Sequence, residues 1–306
     1  MKVLVTGAGG QIARSLLERA GHSGDEVVAI GRPDLDLAQG ATVERAIARV
    51  APAVVVSAGA YTAVDKAEDE AEAALLRAVN VEGPRVVAAT CARLGIPVVH
   101  ISTDYVFDGS KAEPYCEGDA TSPLNAYGRS KLEGERNVAA NCEAHIILRT
   151  AGVYSPFGHN FVRTMLRLAE TKRDIGVVSD QIGNPTYAPH LASAILRIAR
   201  RVASEPEPSR LSGIYNAAGR GDTTWFGFAE EIFRCSRSLG GPVARVHPIT
   251  TADYKTPAKR PASSRLDCTK LERVFGITLP SWVEGTRDCV TRLVRPAVGG
   301  AEGLEG

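Results

Sequence analysis

The chain predicts an α/β fold: a doubly wound parallel sheet of Rossmann type carrying a smaller lobe. Three observations predict it. Short β-branched runs alternate with helical stretches through the first half, a glycine-rich turn follows the first run, and the alternation loosens after Thr150. Such a rhythm is the pattern of βαβ units, whose sheet is covered by helices on both faces.

Taken in order, strands are expected over 2–6, 26–30, 53–57, 97–102 and 145–148, with helices over 11–20, 42–50, 73–94 and 127–140 between them. Gly128 and Gly134 sit awkwardly in the last of these helices. Beyond Thr150 the pattern gives a helix over 160–171, a strand at 176–178, a helix over 188–204, a strand at 214–216 and a helix over 225–238. The dinucleotide-binding part is therefore expected over 1–150, with returning segments near 175–200 and 213–218. The lobe takes 151–174 and 219–295, and 296–306, rich in glycine, is expected to be a flexible tail.

At 306 residues with 44% hydrophobic residues, the chain can bury a full core. Lys plus Arg (36) nearly balance Asp plus Glu (35), so no net field points to nucleic acid or an anionic membrane. No apolar run approaches the roughly 20 residues needed to span a bilayer. The start, Met1 to Thr6, runs straight into glycines, so cytoplasmic residence is the expectation. The six cysteines form no Cys-x-x-Cys pair and the histidines are dispersed, so reduced thiols and no metal site are expected.

Gly7-Ala-Gly9-Gly10-Gln-Ile-Ala13 follows the first strand and opens the first helix, the context in which glycines let a backbone approach a pyrophosphate at a helix N-terminus. After the second strand, where an acidic residue would take the ribose hydroxyls of NAD, the chain has Gly31-Arg32. A guanidinium there suits a 2′-phosphate, so NADPH is expected as cofactor, with NADH as the alternative. Asp36 and Leu37 are placed at the adenine edge, and Ala58-Gly59-Ala60 at the crevice after the third strand.

The catalytic signal is Tyr127-Gly-Arg-Ser-Lys131 with Ser102-Thr103-Asp104 at the end of the fourth strand. Residues four apart share a helix face. A lysine ammonium about 4 Å from the phenol, at an effective dielectric near 20, would favour phenolate by roughly 4 kcal/mol, about three pKa units. Tyr127 is then the proton donor to a carbonyl being reduced, Thr103 a hydrogen-bonding partner of the same oxygen, and Lys131 a further ligand of the nicotinamide ribose. The spacing would equally serve an ordinary Lys131–Glu135 pair.

With these residues in place the chain resembles the extended short-chain dehydrogenase/reductases and, within them, the dTDP-4-dehydrorhamnose reductase family. The stretches that carry the resemblance are 3–11, 60–68, 102–109, 122–135, 160–169, 180–186, 223–225 and 260–266. It implies catalysis by Thr103, Tyr127 and Lys131, and a cofactor lined by Gly7, Gly10, Gln11, Ile12, Ala58, Gly59, Ala60 and Tyr61. It also implies that Val64, Asn160, Gln181, Trp225, Arg260 and Arg265 lie near a dTDP-sugar. Arg260 and Arg265 would neutralise a diphosphate, or else form surface ion pairs; Trp225 would stack on a base or anchor its helix.

One departure bears on the sugar. Relatives usually read Arg-Thr-Ser-Trp-Val-Tyr where this chain has Arg149-Thr-Ala-Gly-Val-Tyr154, so Gly152 replaces an indole. Some members dimerise around magnesium held by carboxylates; here the aligned residues are Ser15, Pro189 and Val283, so no metal is expected, and monomer and homodimer both stand. The expected reaction is NADPH-dependent reduction of the 4-keto group of a dTDP-4-keto-6-deoxy sugar, dTDP-4-dehydrorhamnose first. The alternatives are a dTDP-dihydrostreptose-type reductase, an epimerase, and a binding subunit that has lost the chemistry.

Overall fold

The computed structural model describes residues 1–21 and 24–295, so the expected tail at 296–306 lies outside the described residues. The helices are α1 (Gln11–Ala20), α2 (Gly40–Val50), α3 (Ala73–Arg77), α4 (Gly83–Arg93), α5 (Ala126–Asn141), α6 (Phe161–Ala169), α7 (Ala188–Ser204), α8 (Trp225–Ser238), α9 (Thr269–Phe275) and α10 (Trp282–Val294). The strands are β1 (Lys2–Thr6), β2 (Glu26–Ile30), β3 (Val54–Ser57), β4 (Val98–Thr103), β5 (His145–Thr150), β6 (Val153–Tyr154), β7 (Asp174–Val178), β8 (Ile182–Gly183), β9 (Thr186–Tyr187), β10 (Gly213–Asn216), β11 (Thr223–Thr224) and β12 (Arg245–Ile249). No helix among the described residues is long and apolar enough to cross a membrane.

Six strands form one parallel sheet in the order β10-β5-β4-β3-β1-β2. The chain turns back on itself between β1 and β3, and in open α/β sheets ligands bind at the carboxyl ends of the strands at such a reversal. Alternation along β1 sends Val3 and Val5 to one face and Leu4 to the other. The first face is covered by α1 and α7, with Leu16, Leu191, Ile195 and Ile198 fully buried. The second is covered by α2, α4 and α5, through residues such as Ile47, Val87 and Val138. Each fully buried aliphatic side chain contributes roughly 1.5–3 kcal/mol, so this double covering is the main source of stability.

The expected helix over 73–94 is interrupted by a wider π-type turn at Ala78–Glu82. That turn points Asn80 inward, where its side chain accepts from Tyr61 N at 2.8 Å and donates to Tyr61 O at 3.0 Å and Ser130 Oγ at 3.0 Å. The glycines that looked misplaced in α5 are points of contact: a Cβ at Gly128 would strike the Tyr105 carbonyl, and one at Gly134 the Asn80 carbonyl.

The second lobe packs α6, α8 and α10 around Tyr154, Phe228 and Ile232. Its boundaries differ from the sequence reading in two places. Residues 174–178 do not return to the large sheet: β7 pairs with β12, and it buries Ile175 and Val177 while exposing Asp174 and Gly176. A central parallel strand needs both faces apolar, which β7 lacks. Conversely, Leu271 of α9 and the following Ile277 and Leu279 belong to the core beneath the large sheet.

Candidate active site

A single cleft of about 1270 Å³ runs along the carboxyl edge of the sheet and on between the two lobes. Pockets for one small ligand are commonly about 300–1,000 Å³, so the cleft has room for more than one.

At one end lies the glycine turn. Gly7 has φ +80°, and a Cβ there would sit 2.7 Å from Gly59 Cα, so the ends of β1 and β3 can meet only as glycines. Thr6 Oγ1 accepts from Ala58 N (3.1 Å) and Gly59 N (2.9 Å), closing the same seam. The N-cap of α1 is Gly10, which supplies no side-chain cap, so backbone N–H groups face the cleft at the positive end of the helix. Gly7, Gly10, Gln11, Ile12, Arg32, Ala58, Gly59 and Ala60 all line the cleft. Arg49 of α2 lines it too, which the sequence reading missed.

Three residues assigned to the cofactor do not line it. The Asp36 carboxylate caps its own turn, accepting from Ala38 N at 3.0 Å and Gln39 Nε2 at 3.3 Å. Leu37 is buried in the core behind Gly59, where a Cβ on that glycine would meet its Cδ1. Tyr61 has its backbone clamped by Asn80, and its neighbours Thr62 and Val64 face the cleft instead.

The middle of the cleft holds Thr103, Tyr127 and Lys131. Asn125 caps α5, accepting from Gly128 N at 2.7 Å, which sets the first turn so that Tyr127 meets the end of β4. The Tyr127 hydroxyl is hydrogen-bonded to Thr103, and its ring stands edge-on to Tyr105 at 6.1 Å. Lys131, 2% exposed, donates from Nζ to Ile101 O at 2.7 Å and to His100 Nε2 at 3.4 Å. Burial lowers its pKa to about 8, against an opposing pull from Glu135.

The expected acidification of Tyr127 by Lys131 does not occur. Burial pushes the phenol above its ordinary value and the Asp104 charge adds to that, with only the Thr103 hydrogen bond opposing. Two of the ammonium's three protons go to β4 and not to the phenol, and burial outweighs the charge. The consequence is a phenol that keeps its proton at neutral pH. Nor does Lys131 pair with Glu135 in the ordinary way: Glu135 is held by Arg149, Nη2 to Oε2 2.7 Å, and by the Ser102 hydroxyl.

Thr103 also differs from expectation. Its one hydroxyl proton goes to Asp104 Oδ1 at 2.9 Å, while Tyr105 N donates to its oxygen at 3.2 Å. Asp104 is 5% exposed, and burial raises its pKa to about 6 against hydrogen bonds from Ser264 and Thr103. Its place in the Ser102-Thr-Asp104 turn was visible in the sequence; its burial was not.

On the far side Val64, Gln181 and Trp225 line the cleft, with Gln181 held by a bond to Thr251 Oγ1 at 3.0 Å. Gly152 lines it as well, at φ +52°. Trp225 also packs on Phe161, ring centroids 4.8 Å apart, so it serves both the lobe and the cleft. Asn160, Arg260 and Arg265 do not line the cleft. Asn160 Nδ2 donates to Gln11 Oε1 (3.0 Å), Ser155 O (2.8 Å) and Phe157 O (3.1 Å). Arg260 is bound to Asp65, 2.8 Å, and Arg265 to Asp222, 3.4 Å, and the Ala112 carbonyl. Between these two arginines, Pro261 and Ser264 form the cleft wall. No cluster of metal-ligating side chains occurs among the described residues.

Comparison with known proteins agrees with this geometry. The family model described as RmlD substrate binding domain matches residues 1–295. A dTDP-4-dehydrorhamnose reductase of Sinorhizobium fredii is 49% identical over 294 residues, covering 96% of this chain and 98% of the relative. The enzyme of the same name from Escherichia coli K12 is 39% identical over 253 residues, covering 82% and 83%. Among solved structures, the dTDP-4-dehydrorhamnose reductase of Clostridium acetobutylicum superposes with a TM-score of 0.87 at 37% identity, covering 96% of this chain and 99% of that one. The Bacillus anthracis dTDP-4-dehydrorhamnose reductase, solved in complex with NADP, gives 0.85 at 34%, covering 94% and 98%. With a seam only glycine can close, a tyrosine, threonine and lysine at the carboxyl edge, and likeness over nearly the whole length, the chain belongs to the dTDP-4-dehydrorhamnose reductase family of extended short-chain dehydrogenase/reductases.

Proposed function

We propose that the protein reduces the 4-keto group of dTDP-4-dehydrorhamnose with NADPH, giving dTDP-L-rhamnose, in the cytoplasm. The observation that carries the reading is the placement of Tyr127 with Thr103 and Lys131 midway along a cleft that joins the glycine turn to Trp225.

The residues present fit the cofactor. A Cβ at Gly9 would meet nothing within 4 Å, so the glycine turn is open to the cleft there, and the uncapped start of α1 offers N–H groups to a diphosphate. Arg32 would hold the 2′-phosphate, and Lys131 the nicotinamide ribose. NADPH, when bound, supplies the hydride. Tyr127 donates its proton to the sugar oxygen as charge develops there. Gln181, Val64 and Trp225 would face the nucleotide sugar.

Incubation with NADPH and dTDP-4-dehydrorhamnose should consume one reductant per sugar. Tyr127→Phe should bind NADPH normally and lose roughly 10²- to 10⁴-fold in turnover. Full activity in that variant removes Tyr127 from the mechanism.

Gly152 favours one second reading. With no side chain at that wall, the cleft accommodates a related keto sugar, as in a dTDP-dihydrostreptose-type reductase. NADPH loss with such a sugar, and none with dTDP-4-dehydrorhamnose, would shift the assignment.

A further inference from the structure

His100 stands on β4 among Val98, Val99 and Ile101. It is 0% exposed, and its register partner on β3 is Ser57, 1% exposed. Burying two polar side chains side by side costs free energy unless both are hydrogen-bonded. His100 Nδ1 lies 3.2 Å from Ser57 Oγ, and Nε2 lies 3.4 Å from Lys131 Nζ.

These contacts define the protonation state of the ring. An imidazolium is excluded, since burial and the adjacent Lys131 charge both push the pKa of His100 well down. In the neutral ring a proton on Nε2 would point at the ammonium's own protons. The proton therefore resides on Nδ1 and is donated to Ser57 Oγ, which leaves Nε2 as an acceptor facing Lys131.

We propose that His100 is a positioning residue for the reaction, accepting one N–H of Lys131 while the Ile101 carbonyl accepts a second, so that the third is left for the cleft. The inference rests on the reductase reading above. Two acceptors on one strand fix the direction of a group that is otherwise free to rotate, at the place where the nicotinamide ribose would lie. A neutral acceptor also favours the charged form of the lysine, opposing the burial that drives its proton off. The other groups around Lys131 do not substitute for it. Glu135, four residues on in α5, is committed to Arg149 of β5 and Ser102 of β4; Tyr127, four residues earlier, bonds Thr103; and Ser57 of β3 is uncharged and reaches only His100.

The test is the titration of Lys131 itself, followed by NMR of isotope-labelled lysine side chains in the folded, substrate-free protein and assigned by the signal missing in Lys131→Met. His100→Leu should move that titration about one pH unit or more below its wild-type position near 8, the usual effect of losing a charge-assisted hydrogen bond. His100→Gln, whose amide oxygen can accept from Nζ, should restore most of it. Should the leucine variant fail to fold, His100→Asn, polar but too short to reach, should titrate below the glutamine variant. NADPH turnover should lose its alkaline side in step. An unchanged lysine titration in the leucine variant, or equal values for glutamine and asparagine, overturns the proposal and leaves His100 a packing residue. Because the titration needs no substrate, it stands apart from failure of the wild-type protein to reduce dTDP-4-dehydrorhamnose, which would count against the reductase reading alone.

Discussion

Asn160 Nδ2 donates to Gln11 Oε1 at 3.0 Å, joining the start of α6 in the small lobe to the glycine turn 149 residues earlier in the chain. Ser155 Oγ donates to the same oxygen at 2.8 Å, so the turn is buttressed by the lobe. Asn160 also caps α6, accepting from Arg163 N at 3.2 Å. Asn160→Ala should therefore destabilise the protein by about 2 kcal/mol or more, combining a lost cap with unsatisfied buried carbonyls. Denaturant unfolding and Michaelis constants check this. The KM for NADPH should rise while that for the sugar changes little; a rise confined to the sugar would return Asn160 to the substrate.

Lys131 makes folding depend on pH with a definite sign. Its folded pKa, about 8, lies below the ordinary 10.5, so the unfolded chain binds more protons between those values. Stability should then rise as pH climbs from about 8 to 10.5, with the full cost of the buried charge present below 8. Lys131→Met removes that cost. It should stabilise the protein by about 1–3 kcal/mol at pH 7, lose the advantage at high pH, and abolish turnover. Urea unfolding at both ends of the range measures it; lower stability of the variant at neutral pH would contradict the argument.

The Glu135–Arg149 pair, each side chain 3% exposed, crosses from α5 to β5 directly behind the site. Removing one partner leaves a buried charge uncompensated, so Glu135→Ala should cost about 3–5 kcal/mol. Thermal unfolding would show it as a large fall in Tm. A loss under about 1 kcal/mol would mean that water or another acceptor reaches Arg149.

How far the sequence was legible follows from the range of the interactions involved. The sheet could be read because each strand is a local run with turn residues at its ends, and the glycine turn and Tyr127–Lys131 because their spacing is local. The choice left open for the arginines, diphosphate or surface ion pair, could not be closed because the partner of Arg260 is Asp65, 195 residues away, and no local pattern announces it. The same holds for Asn160. β7 and β12 were missed as a pair because each is short and half-exposed, yet α10 carried a readable signal, the capping box of Ser281 and Glu284, that went unused. The acidity of Tyr127 could not be derived from spacing, since it depends on burial and on where the Lys131 protons go.

Gly152 has φ +52°, and a Cβ there would lie 3.3 Å from Pro185 Cα. Gly152→Ala should cost about 1–2 kcal/mol through the left-handed backbone, with turnover nearly unchanged because a methyl group fills little of the cleft. Gly152→Trp should instead narrow the wall and raise the KM of the sugar while leaving that of NADPH alone. Equal effects on both constants would mean that the backbone, and not the pocket, had changed.

Arg32 and Arg49 both line the cofactor end of the cleft, and neither forms an ion pair among the described residues. Two exposed guanidinium groups without a carboxylate partner suit the phosphate that distinguishes NADPH from NADH. Arg32→Ala should raise the KM for NADPH by about ten- to a hundred-fold, the loss of one or two hydrogen bonds to a charged group, and leave that for NADH within about twofold. Arg49→Ala should act in the same direction but less, since Arg32 alone sits at the end of β2. The preference should also weaken with salt, because both groups are exposed and screened. A parallel rise for NADH in the Arg32 variant would place that arginine on the diphosphate common to both cofactors, and the selectivity would then have to come from Arg49.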